Sequence, residues 1–283
     1  MRNRTLLYVV FGLSFLVLLP IRTVAWGARG HQIIARVATD RLSSKARDAI
    51  LKLLQGESLE SVSTWADQIK PQRPDTSTWH YVDIALKYTD YQRARDCRKG
   101  VCIIEAIEQQ RRVLENPKAS DSERVDALKF LVHLVGDLHV PFHVATNDNP
   151  PDMSADLVKV TFLNGRPTNL HAVWDNDIIN TALRDTRLGV AEYASQLGRR
   201  AGGKGGYVSS QGTVTQWALE AHKLAWSAYR SSGNEFMWTN NGKVWNLDDA
   251  YYKKNKALVD NQLLAAGVRL ASILNDIFAK SAN

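Results

Sequence analysis

Residues 133–143 read HLVGDLHVPFH and place three histidines and an aspartate within eleven positions of otherwise apolar sequence. Polar groups in such surroundings are costly unless they pair or bind a metal. His133 and Asp137 are four apart, so on a helix they project from one face, a turn from each other. Pro141 ends or kinks that helix, which lets the chain turn and carry His143 back toward the same place. His139 sits six positions beyond His133, about 240° around the helix, and points away from it. The same HxxxD spacing recurs in NLHAVWD, where His171 and Asp175 are one turn apart if a helix starts there.

STWADQIK and TSTWHYVD add Asp67 and His80, each close to a tryptophan. Either one alone reads as a satisfied core polar group. WGARGH adds His31, five residues after Trp26. If a leader is removed after Ala25, Trp26 becomes the N-terminus, and its α-amino group and carbonyl oxygen can chelate a metal together. Five histidines, three aspartates and one terminal residue exceed a tetrahedral site and fit a cluster of two or three ions. Imidazole and carboxylate are donors that Zn²⁺ takes, and sites with an open position are catalytic. HxxxD pairs also occur as ordinary helix hydrogen bonds, so spacing leaves that reading open. A single structural zinc would strand several buried ligands without partners.

The elements that must hold these residues are helical. QIIARVATDRL, SSKARDAILKLL, RVDALKFLVHLVGDL, VTQWALEAHKLAWSAYR and the segment from about Leu247 to Ala279 space their apolar residues by three or four. In the last of these, Leu263, Ala266, Gly267, Leu270, Leu274 and Ile277 form one stripe. Ser43 or Ser44 caps the second helix and Gly56 follows its end. In LVKVTFLNGRPTNLH, Val158, Val160 and Phe162 alternate and Asn164-Gly165 supplies a turn, which predicts one small β-hairpin. The expected fold is therefore all-α: a single mainly helical domain over 26–283 with that hairpin. Trp217, Trp226, Trp238 and Trp245 read as core, and His222 as an ordinary helix-face histidine. The run AGGKGG lacks the preceding strand and following Ser/Thr of a phosphate loop and reads as a surface loop.

Residues 1–25 stand apart: basic MRNRT, then fourteen uncharged, mostly apolar residues, then PIRTVA ending in small residues. That is the pattern of a secretory signal peptide cleaved after Ala25, and the apolar run is shorter than the roughly 20 residues of a spanning helix. Export would place the protein in a secreted or periplasmic setting. Losing Arg2, Arg4 and Arg22 would lower the net charge from +7 to +4. Such a balance suits an anionic substrate without being a nucleic-acid signature by itself. Cys97 and Cys102 bracket the loop CRKGVC, and in an oxidising compartment they form a local disulfide.

Taken in order, Trp26 with His31, WADQIK, WHYVD, HLVGDLHVPFH and NLHAVWD closely resemble the trinuclear zinc nucleases of the S1/P1 family. The resemblance continues, less specifically, through WALEAHKLAW to the C-terminal helix. It implies three zinc ions per chain: Asp67, His80, His133 and Asp137 would bind one, His143, His171 and Asp175 a second. Trp26 through its amino and carbonyl groups, His31 and the other oxygen of Asp137 would hold the third. It further implies that Tyr81 stacks on a base and Asp83 hydrogen-bonds it, that Asp67 orients the nucleophile, and that Lys70 stands where the family has an arginine near the scissile phosphate. A lysine lacks the bidentate fork, and the family's glycine-rich run before the hairpin is altered to PPDMSAD. The implied activity is metal-activated hydrolysis of single-stranded DNA and RNA to 5′-nucleotides, with 3′-nucleotidase activity, by a monomer without a stable protein partner.

Two alternatives share parts of this pattern. Zinc-dependent phospholipase C, acting on phospholipid head groups, also has an N-terminal Trp and an HxxxD followed by His, but with a longer gap to the first histidine and a Glu closing the last pair. Here that gap is short and the closing residue is Asp175. A secreted protein that stores zinc, or is merely stabilised by it, would keep its sites closed.

Overall fold

The computed structural model describes residues 26–146, 155–200, 209–237 and 242–280. The expected signal peptide, Trp238, most of the PPDMSAD run and the AGGKGG loop lie outside them.

Helices follow the expected periodicity. In chain order they are α1 (Ala28–Thr39), α2 (Ser44–Leu53), the short α3 (Leu59–Val62) and α4 (Trp65–Gln68), α5 (Arg93–Asp96), α6 (Ile103–Glu115), α7 (Asp121–Asp137), α8 (Leu170–Ala172), α9 (Ile178–Thr186), α10 (Val190–Arg200), α11 (Val214–Ala228) and α12 (Asp249–Lys280). Local chemistry sets their ends. Ser43, rather than Ser44, caps α2 by accepting from the Ala46 N–H. Ser120 with Glu123 and Thr213 with Gln216 form reciprocal capping boxes that start α7 and α11, a device that satisfies two of the helix's orphan N–H groups at once. α7 stops at Asp137, and Pro141–His143 form a separate 3-10 turn, as the proline predicts.

The core is one contiguous apolar cluster running from Trp26 to Phe278. α12 is long and apolar enough to cross a membrane, yet its apolar surface is spent inside this core against α1, α2, α7 and α9. α1 and α12 approach closely because residue 267 is glycine: a Cβ there would lie 2.4 Å from Val37 Cγ1 and 2.9 Å from the Ile34 carbonyl oxygen.

Four expectations need correction. The hairpin is part of a three-stranded sheet: β1 (Lys159–Phe162) pairs antiparallel with β2 (Pro167–Asn169) and parallel with β3 (Trp245–Leu247). Its turn also falls one residue early. Leu163 and Asn164, not Gly165, take positive φ, and the Gly165 N–H donates to the Phe162 carbonyl. Among the tryptophans, Trp217 is buried and Trp245 half-buried against the core, but Trp226 is 44% exposed. His222 is more than a face residue, since it is buried and its Nε2 lies 3.2 Å from the carbonyls of Ile84 and Ala85.

Candidate metal centre

Two tryptophans explain how Asp67 and His80, distant in sequence, reach α7. Trp65 and Trp79 close on Phe130, one turn before His133, with ring centroids 5.1 and 4.9 Å away. Helix α4 and the 3-10 turn ending at His80 are thereby clamped to the face that presents His133 and Asp137. After His80 the chain is zipped against the turn that follows α7. The Val82 N–H donates to the His143 carbonyl, and the Thr146 N–H to that of Ile84. His171 and Asp175 follow β2 on α8 and a π-helical turn, Val173–Asp177. Such turns cluster at functional sites.

These elements bring together three groups whose donor atoms lie within 4.8 Å of one another: His31, His133 and Asp137; Asp67, His80 and His133; His143, His171 and Asp175. His31 Nε2 is 3.2 Å from Asp137 Oδ1, and His133 Nε2 is 3.2 Å from Asp137 Oδ2. His133 Nε2 is 3.5 Å from Asp67 Oδ2, and His171 Nε2 is 3.5 Å from Asp175 Oδ2. Donors placed tetrahedrally at ~2.0–2.2 Å from one ion stand roughly 3.3–3.6 Å from each other, so the spacings suit shared cations. The two oxygens of Asp137 face different partners, Oδ1 toward His31 and Oδ2 toward His80 at 2.8 Å and His133.

Three of the imidazoles are held from behind. Nδ1 of His133 meets the Ser63 carbonyl at 2.8 Å, that of His143 the His80 carbonyl at 2.7 Å, and that of His171 the Asp156 carboxylate at 3.0 Å. Each bond fixes the ring and turns Nε2 inward, the arrangement that supports metal-ligating histidines. Asp156 escaped the sequence reading because it sits in an aperiodic run with no partner at helical spacing.

Of the fifteen buried side-chain nitrogen and oxygen atoms without a well-formed hydrogen bond among the described residues, eleven belong to these eight residues. Each unsatisfied group costs ~1–3 kcal/mol, and eleven of them would rival the ~5–15 kcal/mol that holds a whole domain. The donor set thus fits cations. Its electrostatics agree: burial alone would raise the Asp137 carboxyl, yet His133 and hydrogen bonds from His133, His31 and His80 hold it well below the ordinary range. Burial opposes charge on His133 and His171 too, but their carboxylate neighbours lift both to about 9. Burial pushes Asp175 up to about 8.

Trp26 is fully buried and its indole N–H donates to the Gly136 carbonyl at 2.8 Å, beside Asp137. The Gly27 N–H donates to the Asp175 carbonyl at 2.7 Å. Residues 26–27 are therefore stitched to both HxxxD segments. Lys70 Nζ meets Asp67 Oδ1 at 2.6 Å at the rim. Tyr81 and Asp83 are exposed while Val82 and Ile84 are buried, which puts both on the solvent side of the segment leaving His80. His139, two residues beyond the end of α7, takes no part, as its spacing from His133 predicts. Its Nδ1–H donates to the Val135 carbonyl, its Nε2 accepts from Arg269, and burial with the Arg269 charge pushes it down to about 3.

The model of the S1/P1 nuclease family matches residues 26–279. The chain belongs to that family. Among its relatives, Endonuclease 2 of Arabidopsis thaliana is 31% identical, covering 89% of this chain and 90% of its own. Nuclease S1 of Aspergillus oryzae is 29% identical over 89% and 92% of the two chains, and Nuclease P1 of Penicillium citrinum 27% over 89% and 97%. The mostly helical fold with its small sheet is that of an S1/P1 nuclease. The chain is accordingly a metal-dependent nuclease, a hydrolase of phosphodiester bonds. The Cys97–Cys102 disulfide is formed, with Cα atoms 5.4 Å apart.

Proposed function

We propose that the protein is a zinc nuclease that binds three ions and cleaves single-stranded DNA and RNA to 5′-nucleotides, also removing phosphate from 3′-nucleotides. The observation that carries this is the division of Asp137, whose two oxygens face two separate donor groups while a third group stands at His143, His171 and Asp175. The ligand sets are those inferred from the motifs: Asp67, His80, His133 and Asp137; His143, His171 and Asp175; and Trp26, His31 and Asp137. Zinc supplies Lewis acidity and brings the pKa of water toward neutrality.

The chain's own residues do the rest. Asp67, ion-paired to Lys70, orients the attacking group. The Lys70 ammonium offsets negative charge gathering on the phosphate as a point charge, without arginine's fork. Tyr81 offers an exposed ring on which a base stacks, and Asp83 accepts from the base edge. A base must be unpaired to stack there, which favours single strands. Export after cleavage behind Ala25 agrees with the disulfide and with a family match that begins at Trp26, and cleavage frees the α-amino group. The enzyme acts as a monomer.

Elemental analysis of protein beginning at Trp26 is expected to give about three zincs per chain, with degradation of single-stranded oligonucleotides that chelation abolishes. Activity and stability both indifferent to chelation would remove the cluster. Hydrolysis of phosphatidylcholine with oligonucleotides left intact would favour phospholipase C, which the family match and the nuclease relatives do not favour.

A further inference from the structure

Among the described residues, Trp226 is the one tryptophan whose position the site does not use and the core does not absorb. Although 44% exposed, it is held in place: its indole N–H donates to the Leu86 carbonyl at 3.2 Å, and Phe236 meets it edge-on with centroids 5.5 Å apart. Two routes tie it to the metal centre. Along the backbone, Leu86 ends the segment that begins at His80 and carries Tyr81 and Asp83, so the Tyr81 and Leu86 Cα atoms are at most ~18 Å apart. Through side chains, Phe236 stacks on Tyr229, Tyr229 meets Phe142, and Phe142 meets the His171 ring, at centroid distances of 5.3, 4.9 and 6.0 Å.

Charge around Trp226 favours a polyanion. Lys223 lies three residues before Trp226 on α11, one turn away, and Arg230, two residues beyond the helix end, holds its guanidinium 5.8 Å from the centre of the Phe236 ring that meets Trp226. Lys223 is exposed and no carboxylate pairs with it among the described residues. Arg230 bonds to the Asn234 carbonyl, a neutral acceptor, so its charge is not cancelled. A pinned, half-exposed indole with one cation a turn before it and another against the ring that meets it offers what sequence-tolerant binding of single strands requires: a π-face for a base and positive charge for the phosphates.

We infer that Trp226, with Lys223 and Arg230, forms an outer subsite that stacks an unpaired base of a single-stranded substrate several nucleotides from the scissile bond. The inference rests on the nuclease reading and adds a role for chain length: an oligonucleotide reaches the subsite and a mononucleotide does not.

The test compares KM for a 12-nucleotide single-stranded DNA with KM for a 3′-mononucleotide in zinc-loaded wild type, Trp226→Ala and Trp226→Phe. Stacking on an aromatic side chain contributes ~1–3 kcal/mol per base, so Trp226→Ala is expected to raise the ratio of oligonucleotide to mononucleotide KM by roughly 5- to 150-fold. Trp226→Phe, which keeps a ring but loses the bond to Leu86, should restore most of the difference. An unchanged ratio, or a phenylalanine variant as impaired as alanine, overturns the subsite, the latter assigning the effect to the Leu86 bond. Wild type that cleaves neither substrate would instead overturn the nuclease reading beneath it.

Discussion

Replacing Gly136 by alanine should separate the stability of the fold from the integrity of the metal centre. The residue lies in the last turn of α7, where alanine is favoured over glycine by up to ~1 kcal/mol. Its φ is not in the left-handed region, so the backbone accepts a side chain. The obstacle is His31, because a Cβ at 136 would stand 2.9 Å from Nδ1 and 3.0 Å from Cε1 of that ring. Ordinary contact needs about 3.4 Å or more, so the ring must retreat by ~0.5 Å. The ring also stacks on His133 with centroids 4.0 Å apart, so its movement disturbs a second histidine of the centre. A ligand distance tolerates only ~0.2 Å, so the retreat breaks the geometry between His31 and Asp137 while the helix gains intrinsic stability. The variant is expected to lose about one zinc per chain and ~10²-fold in activity, with the chelated protein melting within a few degrees of chelated wild type. Elemental analysis after gel filtration, an oligonucleotide assay and thermal melts read the three quantities. Full metal with full activity would show that the His31 position does not depend on the missing Cβ at 136, and would undo this account of the centre.

Adding one residue before Trp26 removes the free α-amino group at that position and should cut zinc by about one per chain and activity sharply. An extended, fully active protein would refute a terminal ligand. Asp156→Ala strips His171 of its Nδ1 acceptor and should weaken metal binding ~10–100-fold, with Asp156→Asn milder because an amide oxygen still accepts. Equal affinities in a zinc titration would make the contact incidental. The metal-free protein should lose stability as pH rises from 7 to 9. His133 and His171, raised to about 9, contribute stability that is full below the unfolded value near 6.5 and lost through 9. Asp175, raised from 3.8 to about 8 by burial, adds a penalty that builds from about pH 4 and is complete by about 8, so it contributes to the loss only over the lower half of that range. Zinc-loaded protein should not follow, and zinc uptake at pH 7 should release roughly three to four protons, from His133, His171, Asp175 and the Trp26 α-amino group, read by calorimetry in buffers of different ionisation enthalpy. A rising melting temperature for the chelated protein across that window would contradict the charge assignment.

The clustering of these histidines and aspartates was legible because helical spacing converts directly into shared faces. His133 with Asp137 and His171 with Asp175 need only a helix, and Pro141 announces the turn that returns His143. The start of α2 was legible for the same local reason, through Ser43. What stayed hidden depends on partners far away in sequence or on groups every residue carries. β3 pairs with β1 across more than eighty residues and has three residues of its own. The Ser63 and His80 carbonyls that orient His133 and His143 have no residue signature. Trp226 shares the apolar spacing of α11 with Trp217, and only the packing decides which of the two faces inward.

The metal centre is assembled on parts that do not depend on it. α7 is capped at its start and packed along its length, α12 fills the core behind it, and Trp65 and Trp79 fix Asp67 and His80 by gripping Phe130. Those contacts are apolar and hold at any pH at which the core holds. The donors converge on a single carboxylate, Asp137, which cannot move toward one group without leaving the other, since its oxygens face opposite partners. Trp26 and Gly27 close the arrangement by bonding to the carbonyls of Gly136 and Asp175. The start of the family-matched region is thus fixed against both HxxxD segments by bonds that owe nothing to the α-amino group. A terminal amine freed at that point would be positioned in advance, so cleavage would complete the site without any rearrangement of the fold.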